Sequence, residues 1–161
     1  MLTANGFVVD SLPVDAWGLV DAARTAAMFR DDTRFATLML ANNETGAIQP
    51  VGELAAMAAA RGIPTHTDAV QAVGRIPVDF HALGVSTLAA SAHKFHGPVG
   101  TGLLLVRSGV RLGSRLFGGG QQQGRRPGTV AVPLAVGLAA ALKLWHEESA
   151  ARAGRWRALR E

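Results

Sequence analysis

The sequence of 161 residues has no cysteine. That excludes disulfide bonds, thiolate metal sites and any cysteine nucleophile supplied by this chain. Tyrosine is also absent and aromatic residues make up only 6%, too few for the pattern that stacks and neutralises nucleic acid. Lysine is scarce: Lys94 and Lys143 stand against fourteen arginines. No apolar run approaches the roughly 18 residues that span a bilayer. The Leu-Thr-Ala-Asn-Gly after Met1 lacks the basic and apolar regions of a secretory signal. These absences predict a cytoplasmic location, with neither a membrane nor a nucleic acid as partner. The net charge of +4 does not reverse this, because Arg152, Arg155, Arg157 and Arg160 crowd the end of the chain and read as a solvated helix face.

What is present describes a folded α/β chain. Hydrophobic residues make up 48% and charged residues 17%, a balance suited to one globular domain with its own core. Phe7-Val8-Val9 predicts a strand within residues 6–14. Apolar residues at helical spacing predict a helix over 21–28 with Asp21 at its cap. The two-sided apolar run at 35–40 predicts a buried parallel strand. Alanine-rich residues 52–61, closed by Gly62, predict a second helix. Further strands are predicted at 63–67, 85–90 and 101–107, then a loop over 111–129 and one long helix over 130–160 with Pro133 in its first turn. Strand, helix, strand at these lengths is a βαβ unit, so the predicted architecture is a mostly parallel sheet flanked by helices.

The chain is organised around residues 88–102, where an apolar run ends in Ser91, His93 and Lys94 and a glycine-rich turn follows. A lysine beside hydroxyl and imidazole groups suits Schiff-base chemistry, because it can become a neutral amine where arginine cannot. A surface lysine in a hairpin is the alternative. Three polar clusters follow predicted strands: Asn42-Asn43-Glu44, Asp68-Ala-Val-Gln71 and Ser91-Ala-His93-Lys94. Ligands of open α/β sheets bind outside the carboxyl ends of the strands, where all three clusters are placed. Each has a structural alternative. Asp68-x-x-Gln71 matches a capping box, Asn43 suits a turn, and Ser91 and His93 suit a sheet end. His66, Asp68, His93 and His96 are the one candidate metal set, although Gly97-Pro98 opposes a shared helical face. The loop at 118–129 lacks the lysine of a nucleotide-binding P-loop, yet its backbone N–H groups with Arg125, Arg126 and Thr129 can hold a phosphate.

Four stretches, in order, resemble the cysteine desulfurases, a branch of the class V aminotransferase group of fold-type I pyridoxal-phosphate enzymes. They are Ala41-Asn-Asn-Glu-Thr-Gly-Ala-Ile-Gln-Pro50, His66-Thr-Asp-Ala-Val-Gln-Ala-Val-Gly74, Ser91-Ala-His-Lys-Phe-His-Gly-Pro-Val-Gly100, and Gly118-Gly-Gly with Arg126-Pro-Gly-Thr129. The resemblance covers nearly the whole sequence. It implies that Lys94 holds pyridoxal 5'-phosphate covalently and moves the substrate α-proton. It further implies that Asp68 pairs with the pyridinium nitrogen, that Asn43 and Gln71 donate to the ring's phenolate oxygen, and that Ser91 and His93 bind the phosphate. Thr129 is implied to reach the cofactor phosphate of a partner subunit, hence a homodimer. The implied reaction takes sulfur from L-cysteine onto an enzyme cysteine as a persulfide, releases alanine, and passes sulfur to an acceptor protein for iron–sulfur assembly or tRNA thiolation.

Measured against the resemblance, residues 1–161 represent the central, cofactor-binding part of the large domain. The N-terminal segment with a phosphate loop and ring-stacking histidine has no counterpart. Neither does the C-terminal small domain, with its persulfide cysteine and carboxylate-binding arginine. Gln122-Gln123 stand in place of Glu-Arg, and Pro127 in place of serine. The chain alone is therefore expected not to turn over. The alternatives are another class V reaction (selenocysteine lyase, kynureninase or aminotransferase) or a folded piece without catalysis.

Overall fold

In the computed structural model, which describes residues 3–161, four short strands form one sheet. They are Ala36–Thr37 (β1), Thr65–Asp68 (β2), Thr87–Ser91 (β3) and Gly102–Val106 (β4), paired in that order. β1 and β2 run parallel, as do β2 and β3, whereas β4 returns antiparallel to β3. The mostly parallel expectation holds, with one reversed edge. The reversal follows from connection length. A parallel crossover takes about a dozen residues or more, usually with a helix. The link between β3 and β4 spans only 92–101, which allows a turn and a direct return.

The apolar run at 35–40 enters the ladder for two residues, but its backbone keeps pace with β2 beyond them. Leu38 N–H donates to the His66 carbonyl at 3.2 Å and Leu40 N–H to the Asp68 carbonyl at 2.8 Å. Three stretches of chain therefore end at one sheet edge. The strand predicted at residues 7–9 does not form. Phe7, Val8 and Val9 are exposed and join no ladder, and a cavity of about 510 Å³ lies between them and Phe35, Ala36 and Thr37. Strand propensity expresses fit to a neighbouring pleated surface, and this segment has none beside it.

The helices are Ala22–Ala26 (α1), Val51–Ala59 (α2), Phe80–Leu83 (α3) and Val132–Arg160 (α4). Asp21 caps α1 as predicted, its Oδ1 accepting from Arg24 N–H at 3.1 Å. Val51 and Ala55 of α2 pack with Leu40, Val85, Leu88 and Ala90 on one face of the sheet. Leu88 is 2% exposed, a burial that contributes about 2–3 kcal/mol. Ala92, Phe95 and Ala141 form a second cluster, which seats α4 on the turn after β3. Among the described residues no helix is long and apolar enough to cross a membrane.

Asp79 caps α3, accepting from His81 and Ala82 N–H at 2.8 and 3.0 Å. The Ala82 and then the His81 backbone N–H hold its carboxyl below the ordinary carboxylate value. A depressed carboxyl favours the folded state above its unfolded value of about 3.9 and loses that contribution as pH falls through the lower folded value. Asp79→Asn keeps an acceptor but does not titrate. Its thermal midpoint is therefore expected to fall less steeply than that of the parent between about pH 4 and 2. Parallel melting curves across that range check this.

Candidate functional site

The register of the sheet builds the site. Asp68 of β2 lies opposite Ala89 of β3, and His66 opposite Thr87. Side chains alternate along a strand, so His66, Asp68, Thr87, Ala89 and Ser91 share the face turned away from α2. His66 Nδ1 and Thr87 Oγ1, 2.8 Å apart, confirm that sharing. Ser91 ends β3 two residues beyond Ala89, at the same edge as Asp68. A single 3₁₀ turn, Ala92–Phe95, follows it. Its buried residues, Ala92 and Phe95, face the α4 cluster, while His93 is exposed and Lys94 half-buried.

Asp68 sits exposed at the end of β2, and its Oδ1 accepts from Val70 N–H at 2.8 Å. The capping box expected at Asp68-x-x-Gln71 thus forms by half. The carboxylate binds a backbone N–H two residues on, and the Gln71 side chain does not reach back. The Gln71 backbone carbonyl accepts from Arg75 Nη1 at 3.3 Å, and the half-buried Gln71 side-chain amide has no protein partner among the described residues. Ser91 Oγ and His93 Nδ1 are hydrogen-bonded at 2.9 Å, coupling the implied phosphate ligands. Neither Asp68 nor Lys94 forms an ion pair among the described residues, where every salt bridge is made by Arg30, Lys143 or Arg152.

Asn43 lies exposed on the loop that leaves the β1 chain at the same edge. Its neighbour Asn42 holds the loop closed. Asn42 Oδ1 accepts from Glu44 and Thr45 N–H at 2.8 and 3.0 Å, and its own N–H donates to the Ala47 carbonyl at 2.9 Å. Thr129 stands apart from this group. It is exposed, lies between the turn Gln121–Gly124 and α4, and makes no hydrogen bond to the other candidates. The metal alternative gains no support, since no group of three or more His, Cys, Asp or Glu among the described residues is placed to hold an ion. His66 is occupied by Thr87.

One residue of the site region went unremarked in the sequence. Gln49, 7% exposed, ends the Asn43 loop. Its Oε1 accepts from Val20 N–H at 2.9 Å and its Nε2 donates to the Gly18 carbonyl at 2.6 Å. The available signal was a lone long amide between the apolar residues Ile48 and Val51, where burial demands partners.

The edge thus presents a carboxylate, two side-chain amides, a hydroxyl–imidazole pair and a primary amine, the last without a protein counter-charge among the described residues. That donor set fits pyridoxal phosphate, which has a ring cation, a phenolate oxygen, a phosphate and an aldehyde. The aminotransferase class-V family model matches residues 1–158. Cysteine desulfurase IscS of Methanosarcina thermophila is 45% identical over 143 residues, covering 89% of this chain and 35% of its own. Among solved structures, a NifS-like protein superposes with a TM-score of 0.87 at 40% identity, over 91% of this chain and 41% of that one. SspA in complex with cysteine superposes with a TM-score of 0.84 at 37% identity, over 88% and 42%. The chain spans about a third of the length of the curated relatives it matches, 35% and 32% in two cases. With nearly every residue inside that match and the same sheet in its solved neighbours, the chain belongs to the class-V aminotransferase family.

Proposed function

We propose that the chain is the cofactor-binding core of a cysteine desulfurase. It holds pyridoxal phosphate and serves a reaction that moves sulfur from L-cysteine to a thiol and releases alanine. The observation that carries this reading is the meeting of Asp68, the Ser91–His93 pair and Lys94 at one sheet edge. The desulfurase relatives support the choice within the family. Bound pyridoxal phosphate supplies an electron sink for a carbanion at the substrate α-carbon.

The chain's own groups divide the work. The Asp68 carboxylate keeps a proton on the ring nitrogen, since a nearby anion favours the charged form of a cation. Asn43 and Gln71 donate their amide N–H to the ring oxygen. Ser91 and His93, already coupled at 2.9 Å, would bind the phosphate. Lys94 would hold the cofactor through Nζ, and as a free amine it would take up and return the substrate α-proton. With no cysteine in the sequence, the persulfide forms on a thiol supplied from elsewhere. Thr129 belongs to a dimer in which its loop reaches the partner's phosphate. Exposed Leu116, Phe117 and Val130 on either side of that loop supply apolar surface for the contact. Sulfur then passes to an acceptor protein.

Titrating pyridoxal phosphate into the purified chain tests the reading. A visible absorption band and thermal stabilisation are expected. Asp68→Ala removes one charge-assisted bond worth about 1.5–3 kcal/mol, so its affinity is expected to fall by roughly 10- to 100-fold. Equal affinity in that variant rejects the assigned role of Asp68. Absence of any band in the parent rejects the cofactor reading itself. Alanine release from cysteine, measured with a thiol acceptor present, separates desulfuration from the other reactions of the family.

A further inference from the structure

Between the cofactor edge and the 15–20 segment runs a series of hydrogen bonds that centres on Gln49. Its side chain grips the 15–20 segment at two points, Val20 N–H and the Gly18 carbonyl, across 29 and 31 residues of sequence. Its backbone N–H donates to the Leu40 carbonyl at 2.9 Å, and Leu40 N–H donates in turn to the Asp68 carbonyl at 2.8 Å. The gripped segment is itself closed, because Asp15 Oδ1 accepts from Trp17 and Leu19 N–H at 2.8 and 2.9 Å. Gln49 is also the point where the Asn43 loop closes: Ala41 and Ile48 bridge just inside it, and α2 starts just after it. A buried amide with both ends occupied is a stiff joint, since releasing either end leaves an unpaired polar group.

We propose that Gln49 is a positioning residue for the cofactor edge. By fixing the base of the 41–48 loop, it sets where Asn43 is presented relative to Asp68. The proposal rests on the cofactor reading above and adds to it a residue that does not touch the cofactor. Gln49→Met keeps length and burial and removes both polar ends. Gln49→Glu keeps the acceptor for Val20 N–H and loses the donor to the Gly18 carbonyl. Ile63→Val, in a buried position just past the C-terminal end of α2, is the control for a general loss of stability.

The experiment pairs amide hydrogen exchange on the chain without cofactor with pyridoxal-phosphate titration of the same four proteins. In Gln49→Met, exchange at the Val20 and Asn42 amides is expected to quicken by about tenfold, the effect of one lost hydrogen bond. Cofactor affinity is expected to fall by about tenfold, and the pH at which the visible band changes form is expected to move. Gln49→Glu, which sets a buried carboxylate oxygen against the Gly18 carbonyl, is expected to lose at least as much affinity as Gln49→Met. Ile63→Val is expected to lower the melting point while leaving affinity and the band's pH profile in place. Unaltered loop exchange in Gln49→Met overturns the joint. A parent that binds and a Gln49→Met that binds equally well, or only as much weaker as Ile63→Val, overturns the positioning role alone. A parent that binds no cofactor overturns the reading beneath it.

Discussion

Lys94→Ala is expected to abolish covalent capture of pyridoxal phosphate while leaving the fold in place. The parent, mixed with the cofactor and reduced with borohydride, should gain one adduct, and peptide mapping should place it at Lys94. The variant should gain neither adduct nor visible band. The argument is one of chemistry and placement. Only a neutral primary amine adds to the aldehyde, and the sequence offers two lysines. Lys143 lies exposed on α4, 3.9 Å from Glu147. Lys94 is half-buried at the sheet edge with no such partner among the described residues. Substitution there removes no core contact, so the melting point should move by no more than about 0.5 kcal/mol allows. Lys94→Arg keeps a positive charge and should be equally unable to form the adduct. Label on Lys143 with Lys94 spared would sink the assignment.

The second large effect is expected from Gly74→Ala, which touches no ligand group. Gly74 holds φ +82°, and a Cβ built there would stand 2.1 Å from Phe95 Cβ and 3.2 Å from Phe95 Cα. Those atoms belong to the root of the Phe95 side chain and its backbone, so no rotamer change relieves the clash. Left-handed backbone costs an L-residue about 1–2 kcal/mol, and overpacking adds about 1–3 kcal/mol. Together these lower the melting point by roughly 5–15 °C for a domain of this size. Phe95 adjoins Lys94 in the 3₁₀ turn, so whatever stability remains, the amine should be displaced and adduct formation slowed. Gly62→Ala separates the two causes. It has φ +68° with nothing within 4 Å of the added carbon, and should show the backbone cost alone. Equal melting points for the two variants would contradict the collision.

Much of this was legible in the chain because it depends on short-range signals. Residue 21 as a cap, Gly62 after α2, Pro133 in the first turn of α4 and the apolar runs of β2 and β3 all express local chemistry. The structure places each near its expected position. The convergence of three polar clusters on one edge was readable for the same reason: parallel strands put their carboxyl ends together. What escaped depends on partners distant in sequence. Residues 7–9 have strand composition but no neighbouring strand to pair with, so composition misled. The direction of β4 follows from the short connection at 92–101, which holds no crossover helix. Gln49 escaped because its two partners lie 29 and 31 residues away, so the apolar residues beside it hint at burial without saying what satisfies the amide. Thr129 belongs to a phosphate-suited loop in the sequence, but its role across a subunit boundary comes only from the family resemblance, and among the described residues its surroundings supply no partner that singles it out.

The seating of α4 has a mechanical corollary. Ala141 is its only buried residue, and with Leu138 and Leu142 it rests on Ala92 and Phe95, the two ends of the turn that carries Lys94. From that bearing to Arg160 the helix runs on for about 28 Å at 1.5 Å per residue. A tilt of about 5° at the fulcrum sweeps its tip through roughly 2.5 Å over that length. Small adjustments around the reactive amine are thus geared up into displacements of the far end, and a load applied at that end is felt first by the turn.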